Sequence, residues 1–145
     1  MPDFSKTSLL RLRQAHPELR RLMVMAIREF NFIIADSQRG RIAQERAFAT
    51  GHSKVRFGQS AHNWTPSLAL DLWPAPFDPE TPIEMFYKLQ IEVIKPIAAQ
   101  LGIPIRQGID FNMDGNLSND KWDDLPHIEL HPWRDYAKRA ELFEG

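Results

Sequence analysis

The sequence predicts an α+β fold: a small, largely antiparallel sheet packed with helices in a single domain. Three observations predict it. Two apolar stripes with helical spacing, over 19–30 and 86–101, sit beside proline or glycine boundary signals. Short β-prone runs, FNFIIA (30–35) and IPIRQGI (103–109), fall elsewhere in the chain. Helices and strands also alternate irregularly, without the strand–helix–strand rhythm of a parallel sheet.

The elements follow in order. Leu9, Leu10 and Leu12 suggest a short helix within 5–15 that ends near His16-Pro17. A stronger helix runs from Pro17 to Glu29. Its Leu19, Leu22, Met23, Ala26, Ile27 and Phe30 recur every three or four residues, while Arg20, Arg21 and Arg28 fall mostly off that stripe. Phe30 to Ala35 reads as a buried strand. After Gly40, Ile42 to Thr50 looks helical, with Gly51 as its stop. Residues 51–61 read as a polar loop carrying a brief strand at Lys54–Phe57. Leu68 to Leu72 reads as a strand that presents Asp71.

The segment WPAPFDPETP, with four prolines in ten residues, is a rigid surface connection. Thr81 as N-cap, Pro82 at the first helical position and Glu84 completing a capping box then start a long helix. Phe86, Leu89, Val93, Ile94, Ile97 and Leu101 form its buried stripe. Pro96 is expected to bend or split it, and Gly102 to end it. Ile103–Ile109 and Pro126–Leu130 read as strands around a polar loop at 110–124. Trp133–Phe143 reads as a last, exposed helix.

Composition removes several function classes. The 145 residues make one ordinary domain with a real core. Cysteine is absent, which excludes disulfides and thiolate metal sites, so any metal must be held by histidines and carboxylates. A net charge of −1 argues against a nonspecific nucleic-acid binder. The N-terminal stretch is broken by charges and does not read as a secretory signal, and no run is long enough for membrane insertion.

Two segments carry the chemistry: SAHNWTPSLALD (60–71), with His62 and Asp71, and DDLPHIELH (123–131), with Asp124 and His127. Two imidazoles and a carboxylate are a natural zinc set, and a second carboxylate is left over to move protons. Strand alternation would turn Ile128 and Leu130 to the core and put His127, Glu129 and His131 on the opposite face. Spacing alone leaves a plainer reading open, in which the histidines are ordinary surface or core groups and Asp71 caps a turn.

The two segments resemble the paired signatures, S-x-H-…-A-x-D and D-x-P-H-x-E-L, of the VanY-like D-Ala-D-Ala carboxypeptidase and L-alanyl-D-glutamate peptidase family of zinc enzymes. The similarity is closest to phage endolysins. It extends through SQRGRIAQERAFATGHSKVRFGQSAHN (37–63) and covers most of 30–131. The resemblance implies that His62, Asp71 and His127 bind Zn2+ and that Asp124 is the catalytic acid/base. It places Arg39, five residues before Gln44, near the family arginine that holds a substrate carbonyl or carboxylate, with Arg41 the competing assignment. Ser60 matches the serine that opens the first motif and joins Arg39 among the substrate-binding residues. Asp123 and Glu129 would orient ligands. The nine-residue step from His62 to Asp71 exceeds the commoner spacing of about seven, which keeps His131 and His52 in view as replacement ligands.

The expected activity is hydrolysis of the L-Ala–D-Glu bond in the peptidoglycan stem peptide. D-Ala-D-Ala carboxypeptidase action is the sibling reading; a metal-dependent nuclease and a non-catalytic binding module are the remote ones. The protein is expected to act as a monomer. It would be made in the host cytoplasm without a signal peptide, carry no separate wall-binding domain, and reach the wall after the membrane is permeabilised. DFNMDGNLSNDK also contains the beginning of a calcium loop, with Asp110, Asn112, Asp114 and Ser118 around Gly115 and weak Ca2+ binding expected at Asp110, Asn112 and Asp114. Lys121 stands where the bidentate glutamate of such loops belongs, which favours a plain polar loop.

Overall fold

The computed structural model describes residues 3–117 and 124–145. Helix α1 (Lys6–Arg13) begins where Ser5 Oγ accepts the Ser8 N–H at 3.2 Å. Helix α2 (Pro17–Ala26) starts on Pro17, with His16 Nδ1 accepting the Glu18 N–H at 3.1 Å. It stops short of the expected Glu29. Its predicted stripe is buried all the same, with Leu19, Leu22, Met23 and Ala26 in the core.

The main sheet is four-stranded and antiparallel throughout. Its strands β1 (Phe32–Asp36), β3 (Ala69–Pro74), β5 (His127–Leu130) and β4 (Ile105–Gln107) lie side by side in the order β1-β3-β5-β4. Leu70, Leu72, Ile128, Leu130, Phe32 and Ile34 pack into the core with α2 and the long helix. Helix α3 (Arg41–Ala49) lies between β1 and β3 in sequence. A second, two-stranded sheet pairs β2 (Trp64–Thr65) with β6 (Glu141–Leu142).

The long helix is divided as Pro96 suggested. It runs as α4 (Ile83–Tyr87), a π-type stretch at Lys88–Ile94 and α5 (Lys95–Leu101), with Pro96 in the first turn of α5. Proline has no N–H for the α ladder, and the wider bonding pattern lies just before it. Gly102, at φ +69°, closes the helix in a left-handed conformation that glycine adopts without a Cβ penalty.

Three further expectations fail. Thr81 is not the N-cap: its hydroxyl donates to Asp78 O and accepts from Trp73 Nε1, leaving Pro82 at the cap position. Lys54–Phe57 is no strand, because the Val55 carbonyl is taken by the Gln44 amide at 2.7 Å instead of a ladder partner. The final helix, α6, covers only Trp133–Ala137. The tail beyond it pairs with β2, where Phe143 N–H donates to Asn63 O at 2.7 Å.

Candidate metal centre

Asp71 and His127 are direct cross-strand partners on β3 and β5. Side chains of a strand alternate, so burying Leu70, Leu72 and Ile128 turns both functional groups to the other face. His62 comes from outside the sheet, on a 3-10 turn at Ala61–Asn63. Ser60 Oγ accepts the His62 N–H at 3.2 Å. Buried Asn63 braces the turn: its Oδ1 accepts from Gly58 N and Ser60 N, and its Nδ2 donates to Arg39 O and Gln44 Oε1.

The three donors converge. His62 Nε2 lies 3.2 Å and His127 Nδ1 lies 3.3 Å from Asp71 Oδ1. All three ligand atoms fall within 4.8 Å of one another, and among the described residues this is the one such cluster. A tetrahedral ion with bonds of about 2.0–2.1 Å requires donor–donor edges of roughly 3.3–3.4 Å, which two of the edges match. The imidazole nitrogens facing away are engaged: His62 Nδ1 lies 2.6 Å from Ser37 O and His127 Nε2 lies 2.7 Å from Glu129 Oε1. Those bonds would fix each ring with its remaining lone pair towards Asp71. Formal charge agrees with the geometry. With both imidazoles neutral, as metal ligands must be, the carboxylates of Asp36, Asp71, Asp124 and Glu129 around the cluster outnumber Arg39 and Arg106 by two charges, which a divalent cation cancels.

Burial pushes the Asp71 carboxyl up, but the charges and hydrogen bonds of His62 and His127 outweigh it and hold the group well below the ordinary range. Burial likewise opposes charge on His127, yet Asp71, Glu129 and Asp124 carry its pKa up to about 10. Asp124 goes the other way. Burial, aided by the Asp71 charge, raises it against the pull of His127, His62 and Arg39. Its Oδ2 stands 3.9 Å from His127 Nδ1, and its side chain is 37% exposed to the cleft. A carboxylate at that position could exchange protons with a water held beside the candidate ligands.

Asp124 is placed by backbone. Its N–H donates to Gly108 O at 3.2 Å, and Gly108 N–H donates to His127 O at 2.8 Å. A Cβ on Gly108 would collide with the Asp124 carbonyl oxygen, so only glycine permits this approach. Sequence reasoning missed Gly108, whose requirement comes from a segment far away in the chain.

Arg39 lies in the cleft wall. It donates through Nε and Nη2 to Asp36 Oδ2 and through Nη1 to Gln44 Oε1, and it stands 3.5 Å from Asp71. Arg41 points outward to Glu144, which separates the two candidates by position. Ser60 lines the cleft, with its hydroxyl serving as the cap of the His62 turn. His52 lines the rim and bonds Thr50 Oγ1, while His131 stands apart from the ligand cluster. Glu129 is where an orienting group was expected; Asp123 lies outside the described residues. Ser118 and Lys121 of the calcium pattern also lie outside them. One side-chain oxygen each of Asp110, Asn112 and Asp114 accepts a loop N–H, from Gly115, Asp114 and Asn116 respectively. This turn bonding gives calcium no support.

The cleft measures about 690 Å3 and is walled by Arg39, Ser53, Arg106, Phe111 and Trp133 around the cluster. The family model described as phage L-alanyl-D-glutamate peptidase matches residues 2–131. The chain belongs to that family. It is a peptidase that acts on peptidoglycan, with a His-Asp-His group that could hold a metal. The peptidase also resembles in fold the crystal structure of the L-Ala D-Glu endopeptidase ChiX of Serratia marcescens. The TM-score is 0.70 at 22% identity, covering 92% of this chain and 93% of that one. Among curated proteins none matches this sequence. No described helix of the peptidase is long and apolar enough to cross a membrane.

Proposed function

We propose that this peptidase hydrolyses the L-Ala–D-Glu bond of the stem peptide as a zinc enzyme, with His62, Asp71 and His127 as the ligands. The observation that carries this reading is the convergence of the three donors on edges of 3.2 and 3.3 Å with Asp124 alongside. Zinc, when bound, would supply a Lewis acid that polarises the scissile carbonyl and acidifies water. The chain does the rest. Asp124 accepts the proton of the attacking water as it adds to the L-Ala carbonyl carbon. As the C–N bond breaks, Asp124 returns that proton to the D-Glu amine. Glu129 and Ser37 O hold the two imidazoles in place. Arg39, 3.5 Å from Asp71, presents positive potential to the developing oxyanion.

Every group this scheme requires comes from one chain, so a monomer suffices. The wall lies outside the cytoplasm, so the enzyme would meet its substrate once the membrane has been opened.

Digestion of purified peptidoglycan by the zinc-loaded protein, followed by mass spectrometry, tests the reading. New L-Ala carboxyl and D-Glu amino ends are expected, absent with Asp124→Asn and after chelation. Release of free D-Ala instead would transfer the assignment to D-Ala-D-Ala carboxypeptidase action.

A further inference from the structure

The two arginines of the cleft differ in what they have left to offer. Arg39 uses Nε, Nη1 and Nη2 within the protein and is 17% exposed. Arg106, on β4 opposite Glu129 of β5, donates only through Nε and Nη2, both to Glu129 Oε2 at 3.1 and 2.8 Å. A guanidinium has five N–H groups on two forked edges. Glu129 occupies the edge formed by Nε and Nη2. The edge formed by Nη1 and Nη2 donates to nothing among the described residues, and the side chain, 29% exposed, lines the cleft.

Arg106 is also held rigidly near the ligands. Its Cζ lies 4.8 Å over the Phe111 ring, which stacks on His127 at 5.7 Å with an interplanar angle of 17°. Through Glu129 it connects to the same imidazole by a second route. A forked cation fixed in the wall of a peptidase cleft fits a planar anion of the substrate. If the scissile bond is L-Ala–D-Glu, the D-Glu α-carboxylate lies on the carbon that bears the scissile nitrogen. It must therefore sit beside the ligand cluster. With a divalent ion cancelling the −2 balance around the cluster, a further carboxylate meets no net negative field there.

We propose that Arg106 is the specificity-determining anchor for this carboxylate and makes the enzyme prefer stem peptides whose D-Glu α-carboxylate is free over those in which it is amidated. The proposal rests on the L-Ala–D-Glu reading. A charge-assisted two-point contact corresponds to about 10- to 100-fold in kcat/KM, expressed largely in KM.

The test uses two synthetic stem peptides that differ only in a free or amidated D-Glu α-carboxyl. Wild type should favour the free acid by that factor. Arg106→Gln should bring the ratio close to one by raising KM for the free acid alone. Arg106→Lys, which keeps the charge but not the fork, should restore part of the preference and supplies the comparison if the glutamine variant fails to fold. Equal slowing of both peptides by Arg106→Gln, with the preference intact, would overturn the proposal and leave Arg106 acting only through Glu129. No preference in wild type would overturn it as well. Product masses show separately which bond is cut. Calorimetric binding of both peptides to zinc-loaded Asp124→Asn reads the Arg106 preference even if the cut falls elsewhere.

Discussion

Two of the candidate ligands sit in the sheet and the third sits on a loop, and the two are held by different forces. Asp71 and His127 are register partners whose positions follow from burying Leu70, Leu72, Ile128 and Leu130 behind them. A one-residue slip would turn all of these side chains over at once, so hydrophobic burial itself sets the geometry. His62 has no ladder to fix it. A web of polar contacts does so instead, through Ser60 Oγ, Ser37 O, Asn63 and Gln44. Apolar packing tolerates small adjustments, whereas a buried polar web loses most when one member is left unsatisfied.

The largest expected effect would place both regions on an equal footing. His62→Ala, Asp71→Ala and His127→Ala should each abolish metal binding by calorimetry. Each should lower kcat/KM by more than about 100-fold, since even groups that merely orient ligands are worth 10–100-fold. A loop ligand that proved dispensable would break the equivalence. Gly108→Ala comes next. Its Cβ cannot coexist with Asp124 O, so kcat should approach that of Asp124→Asn, about 10^2–10^4-fold down, with metal still bound.

Asn63→Ala should separate the two regions. Removing a buried side chain with four hydrogen bonds should cost about 1–3 kcal/mol and weaken metal binding. Leu70→Ala should cost about 2–5 kcal/mol yet leave metal affinity unchanged well below the melting temperature. Denaturant melts paired with metal titrations measure both.

A smaller effect concerns protons. In metal-free protein His127 carries a pKa raised from 6.5 to about 10, so at pH 7 it is an imidazolium. Binding a metal through Nδ1 must expel that proton. Calorimetry in buffers of different ionisation enthalpy should therefore show close to one proton released per ion, and affinity falling as pH falls. Because the folded pKa is raised, the stability this charge gives the metal-free protein is full below pH 6.5 and fades as pH rises through about 10. Smallest of all, Arg41→Ala should leave activity unchanged, because Arg41 faces solvent and Glu144; Arg39→Ala, at the cleft, should not.

The sequence by itself determined the fold class and the buried stripes of α2 and the long helix, which are matters of local periodicity. The residues of the candidate ligand cluster were legible only through the paired family signatures, because spacing alone left them open to a plainer reading. The sequence also determined that Glu129 shares a face with His127, because alternation along a strand needs no knowledge of the partner strand. Tertiary structure decided what depends on approach between distant segments. Arg39 lies in the cleft and Arg41 outside it, although they stand two residues apart. Gly108 is required by Asp124, the tail after Ala137 pairs with Trp64–Thr65, and Arg106 retains an open fork. Such facts are set by which backbone arrives beside which. Periodicity within one segment carries no signal of it, because the contact energies that select the arrangement exist only once the sheet has formed.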